Sequence, residues 1–351
     1  MAALTETIRP RRITAVDGER SEATGPLDSA DVSSWRMRGF ALADDLLPAD
    51  LIERAAADGR EGFARPGSVD PAALADFGSG GRFVFPAESD ALNEITLHPR
   101  VLAVAAQLLD TPVRSLRLTQ SDLWVKYGRI RSASNPGDND DQRIHVDYPN
   151  HTLTHPPPWD EPDAVELIVY LSDVDNCGGA TRVVPRRGDG DPAYPWPIVG
   201  TPGVGGLEWV NDRAAAEAML AASDSDVADF RAEHLYAREV EVAFKPGTVL
   251  WYRHDTWHRG TALVPGTLRM VINLTFRRET SEWISTLHEG WAWAMYRRSQ
   301  VMERLITMAT VDQRCVLGFP APGHTYWTPA TLAAVRARYP GIDLTPYGPR
   351  P

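Results

Sequence analysis

The sharpest chemical pattern in this sequence is a histidine and an aspartate two residues apart, His145 and Asp147. In a β-strand, residues i and i+2 point to the same face, so an imidazole nitrogen and a carboxylate oxygen would be aimed at a common point. That pair of donors suits a metal ion. A histidine and aspartate at this spacing also arise often by chance, and an exposed or hydrogen-bonded strand pair is the alternative.

A second set of candidate ligands lies more than a hundred residues later, at His254 and His258, and is followed by Arg269. Two histidines and one carboxylate on one face of a metal form the facial triad of non-haem Fe(II) oxygenases, which leaves positions open for a cosubstrate and O₂. A planar guanidinium near such a metal can hold the distant carboxylate of a 2-oxo diacid through two hydrogen bonds.

Together these stretches resemble the phytanoyl-CoA dioxygenase (PhyH) family of Fe(II)/2-oxoglutarate-dependent oxygenases, over most of residues 32–278. Four elements carry the resemblance: the strand end Trp124–Lys126, the pair His145 and Asp147, the segment Val165–Pro185, and Pro246–Trp251 leading to a distal histidine with an arginine eleven residues on. The family implies a double-stranded β-helix core with iron near one mouth of the barrel. It also implies Fe(II) as cofactor, with 2-oxoglutarate and O₂ as cosubstrates.

The arginine expected eleven residues after the distal histidine decides between His254 and His258. Arg269 follows His258 at that distance, whereas the same step from His254 reaches a proline. We therefore predict His145, Asp147 and His258 as the catalytic metal ligands. The far carboxylate of 2-oxoglutarate is expected on Arg269, and His254 is expected to be a turn residue or a donor to a metal ligand.

Further cosubstrate contacts also follow from the resemblance, which places the strand Leu116–Tyr127 against 2-oxoglutarate. Gln120 and Lys126 alternate onto one face of that strand, although a solvated polar face is the alternative. Where the family often has a serine that helps to bind the same carboxylate, two residues after the distal histidine, this chain has Gly260, with Thr261 next. Gln120, Lys126 and Thr261 are therefore the remaining candidates for cosubstrate binding.

Asp147 also bears on the type of reaction. Related halogenases replace this carboxylate with a small residue so that chloride can bind the iron, so its presence disfavours halogenation. We expect hydroxylation of an unactivated C–H bond of a small molecule, with release of succinate and CO₂. A non-catalytic metal-binding β-sandwich protein and a Zn(II)-dependent hydrolase stay open, because two histidines and an aspartate also suit zinc.

Other histidines have simpler interpretations. His151 and His155 follow the predicted metal strand in a Pro-rich loop, and a lone histidine in a loop usually faces solvent. We therefore expect both to be exposed, with contact to a substrate as the alternative. His324, in the segment PGHTYW, is expected to be structural.

The elements that position these residues follow a polar leader, expected to be flexible over residues 1–30. From about residue 116, short β-type runs separated by Gly, Pro and Asp succeed one another without alternating helices, which is typical of a sandwich or jelly roll. The predicted fold is mainly β with flanking helices. We expect residues 31–351 to form one domain, made of a jelly-roll core at about 110–280, an insertion at 186–237 and a C-terminal helical cap at 281–351.

Composition limits the partners and the compartment. The 351 residues include 36 basic and 47 acidic side chains, a formal net charge of −11. Nucleic-acid binding draws its affinity from Lys and Arg on phosphates, so this balance weighs against a nucleic-acid partner. Two cysteines cannot form a disulfide framework and suit the cytoplasm, and no apolar run is long enough for a membrane span. A monomer and a homodimer are both compatible with the sequence.

Overall fold

The computed structural model describes residues 6–12, 26–68, 82–128, 141–157, 162–281, 301–311, 314 and 319–348. In chain order the strands are β1 (Thr7–Ile8), β2 (Arg11–Arg12), β3 (Phe40–Asp44), β4 (Leu116–Tyr127), β5 (Ala164–Tyr170), β6 (Thr181–Val183), β7 (Val240–Val242), β8 (Val249–Arg253), β9 (His258–Gly260) and β10 (Leu268–Arg278). The α-helices are α1 (Ser29–Arg38), α2 (Ala49–Gly62), α3 (Asp90–Thr96), α4 (Pro99–Leu108), α5 (Tyr148–His151), α6 (Val174–Cys177), α7 (Arg213–Ser223), α8 (Ser225–Phe230), α9 (Val301–Met308) and α10 (Pro329–Arg338). Short 3₁₀ turns lie at Val113–Ser115 and Thr345–Tyr347, and a π-helical turn lies at Arg231–Tyr236.

The strands form two sheets. The larger has the order β2-β3-β8-β5-β10-β4 and the smaller β1-β7-β6-β9. Pairing is antiparallel except at the two edges, where β1 and β2 run parallel to their neighbours. This two-sheet architecture with flanking helices confirms the predicted jelly-roll class. No α-helix within the described ranges combines the length and the apolar character needed to cross a membrane.

Successive side chains of β4 point to opposite faces of the larger sheet, and each face contributes to a different hydrophobic cluster. Leu123 and Val125 pack in the cluster that the larger sheet forms with helices α1 to α4, whereas Trp124 lies in the cluster between the two sheets. The other residues on the Trp124 face are Gln120, Asp122 and Lys126. The polar face expected on this strand therefore lines the interior between the sheets.

Residues 6–12 correct the expectation of a flexible leader. Thr7–Ile8 pairs with β7 at the edge of the smaller sheet, and Arg11–Arg12 pairs with β3 at the edge of the larger one. Two residues are too few to show alternation in a sequence, and these strands form because they cover an exposed sheet edge. Residues 1–5 and 13–25 of the expected leader lie outside the described residues.

The strand expected to carry His145 and Asp147 is reduced to one antiparallel bridge, between His145 and His258. Pro149, at the start of helix α5, has no backbone N–H to continue the ladder. On the other side of the segment the insertion pairs with it, since the backbone N–H of Arg143 donates to the carbonyl of Asn211 at 2.8 Å. The segment that carries two predicted ligands is thus held between β9 and the insertion.

The C-terminal region packs against the loop that follows this segment. The buried Arg338 of α10 donates to the carbonyls of Thr154, at 2.8 Å, and Pro149, at 3.2 Å. The exposed His324 has the structural role expected, because its Nδ1 accepts a hydrogen bond from the backbone N–H of Tyr326 at 3.1 Å. Residues 282–300 of the expected helical cap lie outside the described residues.

Candidate metal centre

Three donor side chains converge where the bridge joins β9 to the segment before α5. Ligand atoms of His145, Asp147 and His258 all lie within 4.8 Å of one another. The Nε2 atom of His145 is 3.5 Å from Oδ1 of Asp147, and the Nε2 atom of His258 is 3.2 Å from Oδ2. The structure therefore brings the three predicted ligands together.

Backbone carbonyls fix both imidazole rings. Nδ1 of His145 is 3.1 Å from the carbonyl oxygen of Arg143, and Nδ1 of His258 is 3.0 Å from that of Thr256. A carbonyl oxygen can only accept, so Nδ1 donates in each ring and the Nε2 lone pair is left for a metal. Orientation and tautomer therefore both suit a site of two histidines and one carboxylate.

The charges at this site are strongly coupled. Burial, reinforced by His258, lowers the pKa of His145 to about 3. Burial also opposes charge on His258 and Asp147, but their mutual attraction outweighs it, raising the pKa of His258 and lowering that of Asp147. The carboxylate is thus kept ionised at a point where positive charge is stabilised, which is the condition for binding a cation.

Two further residues hold the Asp147 carboxylate. The hydroxyl of Tyr252 donates to Oδ2 of Asp147 at 2.8 Å. Glu166, paired in register with Tyr252, also hydrogen-bonds to Asp147, and burial together with that carboxylate raises the pKa of Glu166 well above its ordinary value. Neither residue is among those predicted from the sequence, where the available signal is a glutamate in the otherwise apolar run of β5.

A second cluster, which we call the anion pocket, consists of Arg269, Lys126 and Gly260. Arg269 on β10 lies opposite Lys126 on β4, and the two residues are 7 % and 2 % exposed. Arg269 donates to the carbonyl of Gly179, its Nε has no hydrogen-bond partner, and in the described part of the chain no carboxylate forms an ion pair with it. Burial lowers its pKa. A buried guanidinium without a carboxylate fits the carboxylate of a ligand.

The anion pocket adjoins the metal centre. Gly260 is two residues beyond His258 on β9, so both positions face the same side of that strand. An ideal Cβ atom built on Gly260 would lie 3.4 Å from Nη2 of Arg269 and 3.6 Å from Nζ of Lys126. The metal donor His258 and the position that Arg269 and Lys126 approach, Gly260, therefore lie next to each other on one face of β9, so one ligand could reach both clusters.

Gln120 lies elsewhere on the β4 face. Its Nε2 donates to Oδ1 of Asp122 at 3.0 Å, and its Oε1 accepts from the hydroxyl of Thr275 at 3.2 Å. Lys126 is six residues further along the same strand. The structure does not bring Gln120 to the anion pocket.

Thr261 and His254 contribute through their backbones. The hydroxyl of Thr261 donates to the carbonyl of Ala180 at 2.9 Å, while the carbonyl of Thr261 accepts from Nζ of Lys126 at 2.8 Å. His254 lies in the turn between β8 and β9, and its carbonyl accepts from the backbone N–H of Asp147 at 3.1 Å. Each residue thus orients a neighbour in the site.

His151 and His155 are buried, so the expectation of solvent exposure is wrong. Nδ1 of His155 donates to the carbonyl of Pro156 at 2.8 Å, and Nε2 accepts from the backbone N–H of Ile198 at 2.9 Å. The hydroxyl of Tyr326 donates to the His155 carbonyl at 2.5 Å. The insertion and the C-terminal region cover this loop, and neither contact is local in sequence.

A cleft opens over His145. One wall is formed by Arg143, Pro149 and Asn150, and the other by residues 201–204 and Trp209 of the insertion. The insertion therefore forms one wall of the cleft beside His145.

Comparisons with known proteins give one family assignment. A family model described as phytanoyl-CoA dioxygenase (PhyH) matches residues 35–270, a span that includes all three metal donors and Arg269. No curated protein matches the chain.

Several solved structures are similar at low identity. EvdO2 from Micromonospora carbonacea var. aurantiaca is 15 % identical with a TM-score of 0.47, covering 74 % of this chain and 94 % of its own. EctD from S. alaskensis is 16 % identical with a TM-score of 0.49, covering 80 % and 87 %. The epimerase SnoN, in complex with Fe³⁺, alpha ketoglutarate and nogalamycin RO, is 19 % identical with a TM-score of 0.49, covering 74 % and 90 %.

Proposed function

Since this chain belongs to the phytanoyl-CoA dioxygenase (PhyH) family, we propose that it is a dioxygenase that hydroxylates an unactivated C–H bond of a small molecule in the cytoplasm. The family makes it an Fe(II)- and 2-oxoglutarate-dependent enzyme. In the proposed reaction one oxygen atom of O₂ enters the substrate, and the other enters the succinate that is released with CO₂.

One observation carries this proposal: two imidazole Nε2 atoms are turned toward the carboxylate of Asp147, next to a buried arginine that pairs with no carboxylate among the described residues. His145, Asp147 and His258 would hold Fe(II), and Arg269 with Lys126 would hold the far carboxylate of 2-oxoglutarate. Bound together, Fe(II) and 2-oxoglutarate supply the activation of O₂ that hydroxylation requires.

The remaining residues of the site position these groups. Tyr252 and Glu166 hold the Asp147 carboxylate in one orientation, as the outer partners of metal ligands generally do. Gln120 and Thr261 have no place in this proposal, because their side chains are engaged with groups outside the anion pocket. We propose residues 31–351 as one working domain, with the insertion bordering the substrate cleft.

Anaerobic titration of the protein with Fe(II) and 2-oxoglutarate tests the proposal. A weak visible charge-transfer band should form, and Arg269→Ala should weaken it. Arg117→Ala is the control, because Arg117 is half-exposed at the far end of β4 and pairs with Glu279 at 2.6 Å. Absence of the band together with absence of Fe(II) binding would sink the enzyme hypothesis.

The Zn(II)-dependent hydrolase and the non-catalytic metal-binding protein are separated by two further measurements. Metal analysis of the isolated protein distinguishes iron from zinc. Succinate formation from 2-oxoglutarate distinguishes catalysis from binding alone. A hydrolase does not require the buried Arg269 beside Lys126, whereas binding of a 2-oxo diacid cosubstrate explains why both cationic groups are there.

A further inference from the structure

Gln142 and Gly260 meet at the wall of the anion pocket. An ideal Cβ atom on Gly260 would lie 2.6 Å from Oε1 of Gln142, besides its approach to Arg269 and Lys126. The side-chain amide of Gln142 and the two cationic side chains therefore surround the same point. Gln142 itself is 8 % exposed, so its amide is largely removed from water.

Space, and not backbone conformation, explains the glycine at position 260. The backbone of Gly260 does not have a positive φ, so any residue could adopt it. A Cβ atom at 2.6 Å from Oε1 is closer than van der Waals contact allows. Gly260 and the Gln142 side chain therefore fit as a pair, in which the absent side chain of one makes room for the other.

Hydrogen bonds fix which end of the Gln142 amide faces the pocket. The backbone N–H of Gln142 donates to the carbonyl of Gly260 at 3.0 Å, and Oε1 of Gln142 accepts from the backbone N–H of Gly260 at 3.1 Å. The bridge between Gln142 and Asp212 of the insertion holds the other side of the residue. Because Oε1 is used by Gly260, Nε2 is the free end, and no described residue accepts a hydrogen bond from it.

We propose that Gln142 is a cosubstrate-binding residue, whose Nε2 donates to the far carboxylate of 2-oxoglutarate beside Arg269 and Lys126. This inference rests on the proposed function, because it takes 2-oxoglutarate as the ligand of the anion pocket. Three donors from three separate segments, β4, β10 and the segment before α5, then surround one carboxylate. The neutral amide adds a hydrogen bond without adding a third buried charge.

Equilibrium binding tests this proposal without relying on turnover. The full-length, Fe(II)-loaded protein is titrated anaerobically with 2-oxoglutarate, and Fe(II) affinity is measured separately. Gln142→Ala should weaken 2-oxoglutarate binding about ten-fold, the loss expected for one hydrogen bond to a charged group, and leave Fe(II) affinity within about two-fold. Gln107→Ala is a matched control: Gln107 also makes two hydrogen bonds to one backbone, that of Leu27, but lies on α4. It should bind 2-oxoglutarate as the wild type does.

Gln142→Glu keeps the test valid if the alanine variant fails to fold. Glutamate retains the oxygen that accepts from Gly260 but places a carboxylate where the ligand carboxylate must lie. It should weaken 2-oxoglutarate binding more than Gln142→Ala does. If either folded variant binds 2-oxoglutarate like the wild type, or loses Fe(II) in the same proportion, Gln142 is not a cosubstrate ligand. If the wild type itself binds no 2-oxoglutarate, the proposed function fails first.

A paired substitution tests the fit of Gln142 to Gly260. Gly260→Ala should weaken 2-oxoglutarate binding in the wild type, because its Cβ atom displaces the Gln142 amide. In the Gln142→Ala background the same change should have little effect, since the displaced group is already gone. Losses that simply add would overturn the pairing of these two residues.

Discussion

Acid should destabilise this protein through a buried neutral histidine. His155 is 0 % exposed and, in its neutral form, hydrogen-bonds through both ring nitrogens. Burial lowers its pKa to about 3 from the ordinary value of 6.5. Between these values the unfolded chain binds a proton at His155 that the folded chain does not, so stability falls as pH falls through this range.

The size of the effect follows from the two pKa values. Each pH unit below 6.5 costs about 1.4 kcal/mol of unfolding free energy until the folded pKa is approached. From pH 7 to pH 5 the contribution of His155 is therefore a loss of about 2 kcal/mol. Its full effect is reached only near pH 3, where other groups also titrate.

Urea denaturation at pH 7 and pH 5 measures this contribution. Both the wild type and His155→Gln are unfolded in the presence of a chelator, so that metal binding does not contribute. Glutamine offers one acceptor and one donor but does not titrate. The wild type should lose about 2 kcal/mol more than the variant between the two pH values. Equal losses would refute the reasoning, because they would show that His155 binds its proton equally well in both states.

Two further predictions concern groups that support the metal centre. Tyr252→Phe removes the hydroxyl that donates to Asp147 at 2.8 Å, and should weaken Fe(II) binding about ten-fold in equilibrium dialysis; an unchanged dissociation constant would show that the carboxylate needs no such partner. Asp255→Asn takes the carboxylate from two buried guanidinium groups, Arg186 at 2.7 Å and Arg253 at 3.1 Å, and should lower the unfolding free energy by about 3 kcal/mol or more. A loss below about 1 kcal/mol in urea denaturation would contradict that expectation.

The sequence predicts the parts of the structure whose residues lie close together in the chain or repeat with the period of a strand. The strand predicted at Leu116–Tyr127 has those bounds in the structure, and from Gln120 to Lys126 its residues alternate between two faces as expected. Metal donors two residues apart, and an arginine eleven residues after a histidine, are likewise readable in the sequence. The residues concerned are the metal donors and Arg269, and the structure places them in two adjoining clusters.

Contacts between distant segments account for what the sequence did not predict. Gln142 meets Gly260 across 118 positions, and Tyr252 meets Asp147 across 105. His155 is buried because Ile198 and Tyr326 reach it from the insertion and the C-terminal region. None of these pairs has a sequence signal without knowledge of the fold.

The insertion consists of two parts with different constraints on sequence change. Residues 211–213 pair with residues 141–143. The segment that carries His145 and Asp147 therefore lies between β9 and the insertion and is not a free sheet edge. Deleting that inner part would expose unpaired N–H and C=O groups beside the metal ligands, which favours association with other chains. Residues 201–204 and Trp209 border the cleft instead, and among the described residues they form no β-bridge with that segment. Substitutions in residues 201–204 and at Trp209 would therefore alter the cleft without removing the backbone pairing at residues 211–213.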